Sequence, residues 1–158
     1  MNVQVDVQQA AAEQSALSDN EIATWVARVL QATGNPRDAE LAVRVVDASE
    51  MQQLNSQYRG KDKPTNVLSF PAGAIAGLPD DAGSPLGDII ICASVVDDEA
   101  EQQGKTVQHH WAHLIVHGTL HLLGFDHEEA AEAAAMEAQE VRILSAHGIE
   151  NPYTIQGS

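Results

Sequence analysis

Six of the seven histidines in the chain, His109, His110, His113, His117, His121 and His127, fall inside one segment. His117 and His121 are four positions apart. On an α-helix such a pair projects from one face with about 5 to 6 Å between Cβ atoms, close enough to hold one metal ion. Gly124 follows them and can take the left-handed backbone that ends a helix, so the chain can fold back and bring His127 toward the same point. A lone histidine on an apolar helix is usually a hydrogen-bonded core or surface residue. Six gathered together are poorly explained that way, and the set predicts a three-imidazole site for which zinc is the natural ion. Three protein ligands leave a tetrahedral ion one open position, which separates catalytic zinc from structural zinc.

The spacing H-x3-H-x5-H, with a glycine three after the second histidine, also occurs in the long zinc-protease signature H-E-x-x-H-x-x-G-x-x-H. In those proteases the glutamate beside the first histidine is the general base. Here that position is Gly118, which has no side chain, so peptide hydrolysis would need a base from elsewhere. Two further features bear on chemistry. Arg59, Lys61 and Lys63 place three of the eight basic residues in a five-residue window, ordinarily a solvated loop. Asp88 interrupts an otherwise apolar strand, so it either holds a neighbouring segment or faces a site.

The elements that must position these groups follow from periodicity. Val3, Val5 and Val7 alternate with polar residues as in a half-buried strand. Ser18 and Glu21 form a capping box ahead of a helix whose Ile22, Trp25, Val26, Val29 and Leu30 share one face. Leu41, Val43 and Val45 mark a second strand. Asp47 or Ser49 then opens a helix that turns Met51, Leu54 and Tyr58 inward until Gly60 stops it. A short strand is predicted over Val67 to Phe70, a Gly- and Pro-rich loop from Pro71 to Pro85, and a central strand from Leu86 to Ile91. Helices are predicted over Ala93 to Gln103, Thr106 to Leu123 and Glu128 to Ala146. The second of these carries the histidines and is apolar nearly all round, hence buried. In the last, Met136, Val141, Ile143 and Leu144 are the expected packing residues. The order predicts an α+β fold, a single mixed β-sheet of about four strands packed with about five helices, with the metal site on a buried helix.

At 158 residues and 44% hydrophobic content the chain is expected to form one domain, residues 1 to 158, with a substantial core. Apolar runs fall far short of the roughly 20 residues of a membrane span, and the N-terminal residues lack signal- or transit-peptide character, so a soluble cytoplasmic protein is expected. The single cysteine, Cys92, permits no intrachain disulfide and reads as buried filler rather than a fourth metal ligand. Eight Lys and Arg against 23 Asp and Glu give a formal charge of −15, a field that repels DNA, RNA and anionic membrane at long range.

The segment His117-Gly118-Thr119-Leu120-His121-Leu122-Leu123-Gly124-Phe125-Asp126-His127 resembles the H-G-x-L-H-L-x-G-[FY]-D-H motif of the YbeY family, with Trp111-Ala112-His113-Leu114 also similar just upstream. A second block agrees, Leu54-Asn55 through Tyr58-Arg59-Gly60-Lys61-Asp62-Lys63-Pro64-Thr65-Asn66-Val67-Leu68-Ser69-Phe70-Pro71. Leu86-Gly87-Asp88-Ile89 makes a third. The first twenty residues and the Pro71 to Pro85 loop match least.

The resemblance implies a zinc-dependent, single-strand-specific endoribonuclease acting in maturation of the small-subunit ribosomal RNA 3′ end and in ribosome quality control. It implies one zinc ion per chain on His117, His121 and His127, and makes Arg59 the functional arginine of the basic loop. A guanidinium there would fork onto two oxygens of the scissile phosphate, with Lys61 and Lys63 as weaker contacts to flanking phosphates. Zinc on three imidazoles yields hydroxide near neutral pH and polarises a phosphate oxygen; either that hydroxide or the ribose 2′-hydroxyl is the nucleophile. His113, one turn before His117, is a candidate proton shuttle or a supporting core residue. Asp126 and Asp88 are candidates to orient a ligand imidazole. A protein so acidic, gripping RNA at one small loop, should bind free RNA weakly, so the small ribosomal subunit or assembly factors are expected to present the strand. Two other readings are a metzincin-like zinc metalloprotease and a non-catalytic ribosome-assembly module with structural zinc.

Overall fold

The computed structural model describes residues 3–11, 15–34, 39–71, 84–125, 129–149 and 151–153. The alternating valines near the N-terminus form β1 (Val3–Gln9), which runs parallel to β2 (Ala39–Val46). Parallel neighbours need a crossover, and α1 (Asp19–Ala32) supplies it. Its start is the predicted capping box: Ser18 accepts from the backbone of Glu21, and the Glu21 carboxylate accepts from the backbone of Ser18. The five apolar residues expected on one face are all buried. α2 (Ala48–Arg59) follows, capped by the Asp47 side chain.

The next two strands complete the sheet. β3 (Val67–Pro71) is antiparallel to β4 (Ser84–Cys92), which lies parallel to β2, giving the order β1-β2-β4-β3. β4 begins two residues before the expected Leu86, and most of the predicted Pro71 to Pro85 loop lies outside the described residues. Three helices close the order: α3 (Ala93–Gln103), α4 (Val107–Leu122) and α5 (Ala130–Ala146). This is an α+β fold with one mixed four-stranded sheet and five helices among the described residues.

Successive side chains of β4 alternate between two apolar regions. Ile89 and Ile91 join the larger core with residues of α1, α4 and α5, while Ile90 and Cys92 join a smaller one with Met51 of α2. Cys92 is therefore packing material on the side away from α4. Alternation also corrects the expectation for Asp88. It shares the face of Ile90, opposite the histidine helix, and is exposed near the start of the strand. It is neither a buried carboxylate nor placed to orient an imidazole on α4.

α4 is buried along most of its length, as its nearly continuous apolar surface requires. Trp111, Ile115 and Leu120 are fully inaccessible, each contributing about 1.5–3 kcal/mol of transfer free energy. Thr106 caps its start, and the Trp111 indole donates to Asp97 of α3 at 2.8 Å. At its end Gly124 takes φ 101°, a conformation open to glycine, and the amide of Phe125 bonds back to the carbonyl of Leu120. Asp126 and His127 lie outside the described residues. None of the described helices is long and apolar enough to cross a membrane.

Candidate active site

His117 and His121 lie one turn apart on α4, both half-buried, with their rings edge-on and centroids 4.9 Å apart. They line a cleft of about 460 Å³ whose opposite wall comes from Tyr58 and Arg59 at the end of α2 and from Thr65 to Phe70 of the loop and β3. Residues far apart in sequence therefore meet at one opening. Among the described residues no group of three or more His, Cys, Asp and Glu converges as a metal site, the third motif histidine, His127, being outside them.

The wall comes this close because of Gly118. A Cβ built there would lie 3.1 Å from Ile89 Cγ2 and 3.3 Å from Ser69 Oγ, tighter than ordinary contact. With only hydrogen in that place, α4 settles onto β3 and β4, and the Ser69 hydroxyl donates to the Gly118 carbonyl at 3.2 Å. Gly118 thus faces the sheet. A glutamate at this position would set its Cβ against Ile89 and Ser69, which would have to shift to admit it, and would be directed at the sheet.

Arg59 is the last residue of α2, where the helix dipole favours a cation, and its side chain is exposed. Gly60 turns the chain with φ 69°. Buried Asn55 then shapes the basic loop: its side-chain amide donates to the Lys63 carbonyl at 2.8 Å, and its backbone carbonyl accepts from the Lys61 amide. Lys61 and Lys63 are exposed and lie outside the cleft lining, beyond Arg59. Tyr58, expected to face inward, is instead 58% exposed and sits edge-on to Phe70 at 5.1 Å. The last turn of α2 overhangs the cleft rather than the core, so Asn55, and not Tyr58, takes the buried position.

The wall opposite the histidines is tied to α3 and α4 through Asn66. Its amide donates to Glu99, which also bonds the His110 ring at 3.0 Å. Burial pushes the Glu99 carboxyl up, but the hydrogen bonds from His110 and Asn66 outweigh it and hold it below the usual carboxylate range.

Behind His117 lies a residue the periodicity did not mark as chemical. Glu140 of α5 is completely buried, and its carboxylate accepts from His113 Nε2 at 2.7 Å, from the Tyr153 hydroxyl at 2.8 Å and from His117 Nδ1 at 3.3 Å. Burial raises the Glu140 pKa, yet these hydrogen bonds, with the charge of the imidazoles, bring it down to about 2. Burial also lowers the pKa of His113 and outweighs the opposing pull of Glu140. His113 does not line the cleft. Its ring is engaged by Glu140 and Tyr153, behind His117. The signal for Glu140 was available: it sits four residues after Met136 and three before Ile143, on the core face of its helix.

The profile of one protein family, described as Endoribonuclease YbeY, matches residues 4–148. The chain belongs to the YbeY family. A relative named Endoribonuclease YbeY from Halorhodospira halophila is 52% identical over 139 residues, covering 88% of this chain and 89% of the relative. One of the same name from Stenotrophomonas maltophilia is 58% identical over 130 residues, covering 82% and 80%. The solution structure of TM1509 from Thermotoga maritima has a similar fold, with a TM-score of 0.54 at 20% identity over 96% of this chain and 99% of that one. In this YbeY-family chain the described parts of the motif blocks fall on α4 and the turn after it, on the α2–β3 segment and on β4. Two of the three border the cleft. Tyr153 lies beyond the matched span.

Proposed function

We propose that the cleft between α4 and the α2–β3 segment cuts single-stranded RNA, with one zinc ion held by His117, His121 and His127, and that the protein matures the 3′ end of small-subunit ribosomal RNA and serves ribosome quality control in the cytoplasm. The observation that carries this reading is the shared cleft: Arg59 opens onto the same space as His117 and His121. The relatives' name, Endoribonuclease YbeY, agrees with it.

The donors present fit zinc. Two imidazoles stand one turn apart on α4, and one of them, His117, is backed by a carboxylate, as metal-binding histidines commonly are. When bound there, such an ion would supply Lewis-acid chemistry, activating water near neutral pH and drawing charge from a phosphate. The chain's own groups do the rest. Arg59 forks onto two oxygens of the scissile phosphate and offsets the charge that develops there. The exposed ring of Tyr58, braced by Phe70, offers a face on which an unpaired base stacks, which supports the single-strand reading. The remaining surface, in a chain of net charge −15, contributes little grip, so ribosomal particles or assembly factors present the strand.

The test is purified protein of known metal content, assayed on ribosomal precursor particles and on denatured casein, beside Arg59→Ala and His117→Ala. RNA cleavage that is lost in both variants, with casein untouched throughout, is the expected result. Casein cleavage would make the chain a protease. A fold that collapses on zinc removal, with no cleavage of either substrate, would make it an assembly module with structural zinc.

A further inference from the structure

His113 and His117 lie one turn apart on α4, and both rings reach the same carboxylate, Glu140, but through different nitrogens. His113 approaches with Nε2, at 2.7 Å from Oε1; His117 approaches with Nδ1, at 3.3 Å from Oε1 and 3.4 Å from Oε2. An ionised carboxylate only accepts, so the nitrogen facing it must carry the proton. In a neutral imidazole the other nitrogen is then a bare lone pair. Glu140 therefore sorts the two rings into opposite tautomers, Nε2–H for His113 and Nδ1–H for His117.

The two lone pairs have different surroundings. That of His113, on Nδ1, is buried and meets no hydrogen-bonding partner. His117 stands between two spaces, the cleft it shares with Arg59 and a smaller cavity of about 250 Å³ lined by Met136, Glu137, Glu140 and Tyr153. With Nδ1 committed to Glu140, its lone pair is Nε2.

A fully buried carboxylate is an expensive element, disfavoured by several kcal/mol unless its oxygens are satisfied. Here they are satisfied by two imidazoles and the Tyr153 hydroxyl, which donates at 2.8 and 3.0 Å to the two oxygens. An apolar residue would fill the same space without that penalty, as Met136, Ile143 and Leu144 do elsewhere on α5. We infer that Glu140, steadied by Tyr153 and His113, is a positioning residue that holds the His117 ring in the Nδ1–H tautomer and so commits Nε2 to the metal. This rests on the zinc reading of the cleft and goes beyond it, because it names which nitrogen binds and which residue decides.

Two measurements on the full-length chain test it. In the zinc-loaded protein labelled with ¹⁵N-histidine, NMR should find His117 protonated on Nδ1 and ligating through Nε2, with His113 protonated on Nε2. Chelator competition should find zinc bound about 10- to 100-fold more weakly in Glu140→Gln, the loss typical when a ligand's supporting group is removed. Tyr153→Phe, which leaves the carboxylate in place, should weaken zinc by a smaller factor. Ligation through Nδ1 of His117 would overturn the inference, as would a folded Glu140→Gln variant with affinity within about twofold of the parent. If Glu140→Gln does not fold, the nitrogen assignment in the parent decides alone. Failure of the parent chain to bind zinc would overturn the zinc reading itself and this inference with it, whereas zinc binding with unaltered affinity in Glu140→Gln would overturn only the inference.

Discussion

The Ser69 hydroxyl donates to the backbone carbonyl of Gly118 at 3.2 Å, closing the seam between β3 and α4 at a point where no Cβ stands between them. That seam sets the width of the cleft. It also predicts the response to the residue a zinc protease would carry there. In Gly118→Glu the new side chain meets fully buried Ile89, which must shift within a packed core to admit it. We expect a loss of about 1–3 kcal/mol by denaturant unfolding, and no gain of peptidase activity. Stability equal to the parent's would show that α4 can lift from the sheet without penalty.

Arg59 is exposed at the end of α2, so its removal should leave the fold intact while disabling the chemistry. Arg59→Ala is expected to shift stability by no more than about 0.5 kcal/mol. RNA cleavage should fall by about 10²- to 10³-fold, the scale of losing one group aimed at developing charge. Arg59→Lys should recover only part, since an ammonium cannot fork onto two oxygens. On naked RNA the salt dependence should be shallow, and stay so in Lys61→Ala and Lys63→Ala.

Tyr58 gives a separate prediction because its ring is largely exposed at the cleft, edge-on to Phe70. Tyr58→Ala should weaken binding of single-stranded RNA by about 1–3 kcal/mol, the usual worth of one base on an aromatic face. Tyr58→Phe keeps that face and should behave as the parent. Binding measured by anisotropy on short oligonucleotides separates the two, and equal losses in both variants would point to the hydroxyl instead of the ring.

Glu99 carries a pH signature. Its pKa is held below the usual carboxylate range although burial opposes this, because His110 and Asn66 bond to the ionised form. The unfolded chain therefore takes up this proton first as pH falls, and the native state loses stability. The contribution is fully present above the ordinary carboxylate pKa and is lost as pH drops through the lower folded value. Melting temperatures followed from pH 6 to pH 3 should fall less steeply in Glu99→Gln than in the parent. Parallel curves would remove Glu99 from the account.

The sequence by itself determined the elements and the family. Caps, alternation and helical periodicity are carried by residues within a few positions of one another, so the Ser18 capping box, the buried face of α1, the span of α3 and the turn at Gly124 were all legible locally. The histidine spacing and the basic block were legible for the same reason. Tertiary structure decided which way the side chains face at element ends and which distant groups meet. Tyr58 has the spacing of a core residue but lies where α2 outruns the sheet, and Asp88 sits in an apolar run but on the face turned from α4. The spacing of Glu140 from Met136 and Ile143 puts it on the core face of α5, but only packing places its carboxylate against His117. Only packing could reveal that Gly118, a missing base in the sequence, is the contact that lets β3 bring Arg59 to the histidines.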